Sequence, residues 1–262
     1  MPIPTLAFVA NPPPHLAHAS TVLLSGHPQA GKEVRETVEG VALSAIYPAT
    51  PKVHSIIHRP PPELEKEVTP LSRTLDPRAT HLVSSPYVDF ANQLDLRNLD
   101  ISYRLLAYAL TLLEFVRPDY ATAPYMTSLD WPAVFARLRG LCAESDLPWE
   151  RKELYVVIFR SQLKPNADRA RLGQLDQESH REACQSGGLL KYWFGSCDAE
   201  QRNLATCIWR SREDAAAGGR GPWHRLARSA ASEMYESITF HTHKLVLEAG
   251  AEQWQLEDDV QQ

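Results

Sequence analysis

Apolar residues recur with the helical period of 3.6 between residues 100 and 117. The positions are Ile101, Leu105, Tyr108, Leu112 and Phe115. Asp100 occupies the N-cap position, and Pro118 stops the pattern. The spacing therefore predicts a buried helix over 100–117, followed by a second helix over 131–143 that Asp130 caps.

Strand-like and helix-like patterns then alternate. Four β-rich runs lie at 154–163, 189–195, 203–211 and 238–248, and two amphipathic helical runs lie at 167–188 and 221–237. The resulting β-α-β-β-α-β order over 154–248 is that of the ferredoxin-like superfold. In this α+β architecture both helices pack on one face of an antiparallel sheet. The other face is apolar, and we expect the first 150 residues or a second subunit to cover it.

Proline separates the first third of the chain from the rest. Fourteen of the 20 prolines lie at or before Pro86, and each fixes φ and removes a backbone donor. We predict that residues 1–90 form an extended arm that wraps the core, with short strands at "TVLL" and "HLVSSPYV". Residues 91–254 form the α+β domain, and 255–262 a disordered tail.

Composition narrows the choice of partner and compartment. The formal charge of −5 gives no bulk attraction for nucleic acid or anionic lipid. The most apolar stretch, 101–116, contains Arg104 and Glu114 and is too short to span a membrane. The four cysteines match no C-x-x-C spacing, and the N-terminus lacks a basic n-region. We expect a cytoplasmic protein with reduced thiols.

One stretch is close to a phosphate-binding loop. Gly26, Gly31 and Lys32 have the required spacing, but Glu33 stands where the motif needs Ser or Thr to bind Mg²⁺. A carboxylate there would repel the nucleotide, and Pro28 removes one backbone donor from the cradle. We interpret the stretch as an exposed turn and predict no nucleotide.

Several longer stretches resemble a known family. They are "DYATAPYMTSLDW", "LYVVIFRSQL", "SGGLLKYWFG", "RNLATCIWRSREDA" and "GPWHRLA". Over residues 100–254 the chain resembles fungal uncharacterised protein family 0643, which has no assigned chemistry. The resemblance also implies a second half like the dimeric α+β barrels, a group that includes antibiotic-biosynthesis monooxygenases. Fold analogy of this kind does not give function.

Histidines supply the first candidate groups. His241 and His243 alternate on one strand, so both rings point to the same face, as in H-x-H metal ligands. No third ligand is evident, and we predict hydrogen-bonded or exposed histidines and no metal site. His180, flanked by Glu178 and Glu182, and His224 are candidate general bases on the two helices.

Aromatic residues and one arginine are the remaining candidate functional residues. Tyr120 and Tyr125 lie on a loop that could close over the sheet and polarise a carbonyl. Arg210 could hold a carboxylate or enolate oxygen. Tyr192, Trp193, Trp209 and Phe240 either form core or interface, or line an apolar pocket. We predict Tyr120, Arg210, His180 and His224 as catalytic. The predicted substrate-binding residues are Tyr125, Tyr192, Trp193, Trp209, Phe240 and His241.

These features favour a cofactor-independent enzyme of fungal specialised metabolism. Its substrate would be small, largely apolar and carbonyl-bearing, and the reaction a cyclisation, cycloaddition or isomerisation. Two alternatives stay open. The first is a monooxygenase-like or haem-binding barrel, with His180, His224 or His241 as axial ligand. The second is a non-catalytic module that forms a homodimer or binds protein through the sheet and the Pro-rich arm.

Overall fold

The computed structural model describes residues 78–259. The phosphate-loop-like stretch and most of the predicted arm lie outside these residues. At the start of the described part, β1 (His81–Leu82) pairs antiparallel with β2 (Leu94–Asp95). Of the predicted strand "HLVSSPYV", only the first two residues are therefore in regular strand.

Between residue 78 and the main sheet, the chain forms three α-helices. They are α1 (Ile101–Leu110), the single turn α2 (Tyr125–Ser128) and α3 (Trp131–Glu144). The Asp100 carboxylate accepts from the backbone N–H of Tyr103, and Asp130 caps α3 in the same way, as the sequence predicts. The prediction that the first helix continues to residue 117 is wrong. Phe115 instead forms an antiparallel β-bridge with Leu129, in which the backbone N–H of Val116 donates to the Ser128 carbonyl and that of Asp130 to the Glu114 carbonyl, so these backbone groups are satisfied outside any helix.

The main sheet has five antiparallel strands in the order β4-β5-β3-β6-β7. The strands are β3 (Lys152–Leu163), β4 (Leu189–Phe194), β5 (Arg202–Trp209), β6 (Tyr235–Leu247) and β7 (Trp254–Asp258). The intervening helices are α4 (Arg169–Ser186), α5 (Arg212–Gly218) and α6 (Pro222–Met234). The first four strands and α4 and α6 confirm the predicted ferredoxin-like α+β order. Helix α5 was not predicted.

Strand β7 corrects a second prediction. Residues 255–258 were expected in a disordered tail, but they pair with β6, where Leu256 lies opposite Leu245. Leu245 is buried and Leu256 packs against the same core. An apolar residue of this kind at the sheet edge stabilises the additional strand.

The sheet is packed on both faces. On one face, named here the α1 face, Val156, Ile158 and Ile208 join a core built with α1 and α3. On the opposite face, named the α4 face, Val157 and Trp209 pack with residues of α4 and α5. The chain's own helices thus cover the apolar face that the sequence left open to either the first 150 residues or a second subunit. A homodimer remains a prediction, but the surface under α1 and α3 is not available to it.

Candidate functional site

Two phenols bind one carboxyl group beneath α4. Asp176 accepts from the Tyr192 hydroxyl at 2.7 Å and from the Tyr87 hydroxyl at 2.5 Å. Burial raises the pKa of Asp176 and outweighs the two hydrogen bonds, which act in the opposite direction. The site therefore combines a carboxyl group that is a stronger base than usual with two donors within reach of it.

Tyr87 belongs to a stretch that borders β4, named here the 83–92 segment. The backbone N–H of Tyr192 donates to the Ser84 carbonyl at 3.0 Å, which extends the sheet edge by one bond. At the other end, the Gln177 amide donates to the Asp89 carboxylate at 2.7 Å. Hydrogen bonds from the 83–92 segment to β4 and α4 thus hold the Tyr87 phenol over Asp176.

His180 lies one helical turn after Asp176 on the same face of α4. Its Nδ1 is 2.9 Å from the Asn92 side-chain nitrogen, and its ring stacks on Tyr192 with centroids 5.3 Å apart. The residue is only 4% exposed. Burial first, and the nearby His224 second, lower the pKa of His180 to about 4. The imidazole is therefore neutral at neutral pH, and its Nδ1 accepts from the amide.

Cys184 lies beside this histidine, with Sγ 3.6 Å from His180 Nε2. Burial raises the pKa of the Cys184 thiol to about 12. Both members of the pair are thus neutral, whereas nucleophilic cysteines require a thiolate. We conclude that Cys184 is a packing residue that donates to the Asn92 carbonyl at 3.3 Å.

His224 is held by a different acid. Its Nδ1 lies 2.9 Å from Glu182, which also accepts from the backbone N–H groups of Trp223 and His224. Burial alone would raise the pKa of Glu182, but these bonds outweigh it and lower that pKa. Glu182 therefore caps α6 as an anion, and His224 is tied to that cap.

An open groove of 490 Å³ runs beside this cap, between α4 and the ends of α5 and α6 that face each other. Glu178, Glu182 and Trp223 contribute to its walls. A cavity containing Arg210 or a tyrosine would favour the enzyme over the binding module, and this groove is lined by neither. Arg210 forms a two-bond ion pair with Asp214, at 2.9 and 3.0 Å.

The remaining predicted residues are divided between the two sheet faces. Phe240 and Trp209 lie on the α4 face with His180 and Tyr192, but Trp209 is wholly buried beneath α5. The α1 face carries Tyr120, Tyr125, Trp193 and His241. One catalytic set made from all ten predicted residues is therefore not assembled, because Tyr120 and Tyr125 lie across the sheet from His180 and Tyr192.

Both loop tyrosines use their hydroxyl groups within the protein. Tyr120 donates to the Ser196 carbonyl at 2.5 Å, and the Tyr125 hydroxyl is 2.8 Å from Thr206 Oγ1. His241 is exposed, and its neighbour His243 lies 3.3 Å from the Asp258 carboxylate. Within residues 78–259, no three His, Cys, Asp or Glu side chains converge to hold a metal ion.

Arg160 fixes the loop that carries these tyrosines. Its guanidinium donates to the carbonyls of Tyr120, Ala121 and Ala123. We expect Arg160→Gln to lower the free energy of unfolding by about 2 to 3 kcal/mol, because carbonyls that lose a charged donor become unsatisfied. Urea denaturation checks this. Arg117→Gln breaks an exposed pair with Asp119 and a long 3.5 Å hydrogen bond to Thr127, so it should change stability by less than about 1 kcal/mol. Equal effects of the two substitutions would contradict the assignment.

Sequence reasoning missed Tyr87, Asn92 and Asp176. One signal was available: Asp176 precedes His180 by four residues, so both lie on one face of the predicted helix. The partners from the 83–92 segment gave no such signal, because their contacts with α4 join residues 85 to 89 positions apart.

Comparison with known proteins places the chain in a family. The PB2B2.08-like family model matches residues 83–258. The chain is also 35% identical over 191 residues to UPF0643 protein PB2B2.08 of Schizosaccharomyces pombe, covering 69% of this chain and 85% of the relative. The chain belongs to the PB2B2.08-like family. The resemblance to uncharacterised family 0643 is thereby confirmed, and both the 83–92 segment and β7 fall within the matched residues.

Among solved structures, part of this chain is similar to "Putative antibiotic biosynthesis monooxygenase" from Nitrosomonas europaea. The identity is 16%, the TM-score is 0.30, and the match covers 34% of this chain and 86% of that one. Separately, none of the helices within residues 78–259 has the length and apolar character needed to cross a bilayer.

Proposed function

We propose that the α4 face carries the acid–base site of a cofactor-independent enzyme, which isomerises or cyclises a small, largely apolar carbonyl compound. One observation carries the proposal: the Asp176 carboxyl group is held between the Tyr87 and Tyr192 hydroxyls beside a neutral imidazole. Sites that remove a proton next to a carbonyl need a base of raised pKa and a donor for the developing oxyanion.

Asp176 is the base in this mechanism. When substrate enters, Tyr87 donates to the carbonyl oxygen instead of to Asp176 Oδ2, which frees that oxygen to take the α-proton. The C–H electron pair forms a C=C bond, and the carbonyl π pair moves onto oxygen. In a β,γ-unsaturated substrate, Asp176 then returns the proton to the γ-carbon: the oxygen pair re-forms C=O, the Cα π pair moves to Cα=Cβ, and the Cβ=Cγ π pair forms the new C–H bond, so that atoms and electrons balance without an oxidant or reductant.

The surroundings determine which substrates fit. Phe194, Phe240 and Cys207 pack in the same cluster as Tyr192, so the side chains around the proposed site are largely apolar and aromatic. An anionic substrate would be repelled by Asp176 at short range, because a low-dielectric site strengthens like-charge repulsion. A neutral ketone or aldehyde with an apolar substituent matches the apolar surroundings and is not repelled by the Asp176 charge.

The test is exchange of α-protons for deuterium, followed by NMR on a panel of neutral enolisable ketones. Wild-type protein should accelerate exchange, and Asp176→Asn should slow it by about 100- to 10,000-fold, the range that general bases supply. Tyr87→Phe should cost about 10- to 1,000-fold through loss of the oxyanion donor. Glu178→Gln is the matched control, since it alters a carboxylate of the same helix that pairs only with Arg181 in the described contacts.

The melting temperature of each variant distinguishes loss of catalysis from loss of folding. Asparagine retains the size and one acceptor of Asp176 while removing a buried charge, so Asp176→Asn should melt no lower than wild type at pH 7.5. Equal exchange rates for Asp176→Asn and Glu178→Gln, or no exchange by wild type across the panel, would refute the proposal.

A further inference from the structure

An ionisable amine is buried on the α1 face, on the opposite side of the sheet from Asp176. Lys191 lies on β4 opposite Ile208 and is only 6% exposed. The β4 register shifts between Leu189 and Lys191, and Leu190 packs into the α1 core beside it. A lysine is seldom buried in this way without a specific role or partner.

A carboxylate and aromatic rings lie on the same side of the sheet as this amine, because Lys191 and Trp193 are two residues apart on β4 and face the same way. The negative charge of Glu114 favours the protonated form of Lys191 and so raises its pKa. The Trp193 indole N–H donates a hydrogen bond to the Glu114 carboxylate at 3.5 Å. Tyr120 packs edge-on against Trp193, and Phe115 packs against Tyr120 at 4.8 Å. Glu114 and Phe115 are exposed, so this set, named here the Lys191 cluster, reaches the surface.

Burial also changes the protonation of the amine. It lowers the pKa of Lys191 to about 8, against the opposing effect of Glu114. At pH 7 about one tenth of such an amine is unprotonated, compared with about 0.04% of an ordinary lysine near pKa 10.4. The free amine is the nucleophilic form.

We propose that Lys191 is a nucleophile that condenses with a small apolar aldehyde or ketone to form an imine. The nitrogen lone pair forms the C–N bond while the carbonyl π pair moves to oxygen, which takes a proton. Loss of water then leaves C=N, so amine and carbonyl yield imine and water. Glu114 can carry the protons between nitrogen and oxygen, and Phe115 and Tyr120 provide an apolar rim for the substituent. This site is independent of Asp176.

Reductive alkylation tests the proposal in the folded protein. Wild-type protein is treated with butanal and cyanoborohydride at pH 7, and peptide mass spectrometry gives the rate at each lysine. Lys191 should react at least about tenfold faster than Lys244, whose side chain is 45% exposed, because its free-amine fraction is larger. The Lys191 rate should level off above about pH 8, whereas that of an ordinary amine rises to about pH 10.

Two variants sharpen the result. Glu114→Gln removes the charge that favours the ammonium form, so the midpoint of the Lys191 pH profile should move lower. Lys244→Arg is the matched control and should leave the Lys191 profile unchanged. An unreactive Lys191, a rate below that of Lys244, or a midpoint that Glu114→Gln does not move would overturn the assignment. If Glu114→Gln fails to fold, the wild-type profile decides alone.

Discussion

Replacing Trp209 with alanine is expected to lower the free energy of unfolding by about 3 to 5 kcal/mol. Trp209 is 0% exposed and lies where β5 passes beneath α5, in contact with the core that includes Ala215. Gly218 approaches the indole so closely that a Cβ there would collide with the ring. Truncation therefore leaves a cavity between rigid layers that cannot collapse to fill it.

Urea denaturation monitored by circular dichroism measures this loss, with two variants for comparison. The Trp209 indole N–H is buried and has no acceptor among residues 78–259, so Trp209→Phe removes an unsatisfied donor together with part of the volume. Its cost should be smaller, about 1 to 2 kcal/mol. Leu226→Ala, at a 52% exposed position on α6, should change stability by about 0.5 kcal/mol or less. An equal effect at Trp209 and Leu226 would show that the α5 layer is not packed.

Acid should destabilise the fold through His180 by about 3 kcal/mol between pH 6.5 and pH 4. Its pKa falls from an ordinary value near 6.5 to about 4 on folding, so the unfolded chain binds a proton that the folded chain excludes. The stabilising contribution is complete above pH 6.5 and is lost as pH falls towards 4. Asp176, whose pKa is raised, contributes with the opposite sign.

Comparison of His180→Gln with wild type isolates the histidine from Asp176. Glutamine keeps an acceptor for Asn92 but cannot titrate, so the variant should be less stable at pH 7 and should lose less stability on acidification. His241→Gln makes the same substitution at an exposed position and serves as the control for the exchange of histidine for glutamine. Identical slopes for wild type and His180→Gln would assign the acid sensitivity to other groups.

The β-α-β-β-α-β order formed by β3 to β6 with α4 and α6 was predictable because each of these elements carries its own period. The runs around Val157 and Ile208 alternate or are continuously apolar, while α6 has an amphipathic stripe. The end of α1 was not predictable, since Phe115 continues the helical spacing and only its bridge to Leu129, fourteen residues later, removes it from the helix.

The candidate site was predictable only where it depends on neighbouring residues. His180 and Tyr192 were identified as candidates from one helix and one strand, and they lie together. Tyr120 was assigned to the same pocket because a sequence does not specify over which face of a sheet a loop closes. Tyr87 reaches Asp176 from 89 residues away, a pairing that no local period encodes.

The cover that α1 and α3 place over one side of the sheet also affects how the protein assembles. Ferredoxin-like chains that bury this side against a copy of themselves complete their core only after two molecules meet. Here the corresponding contacts close within one molecule. The packing of α1 and α3 on the sheet therefore does not depend on protein concentration, and dilution leaves its stability unchanged.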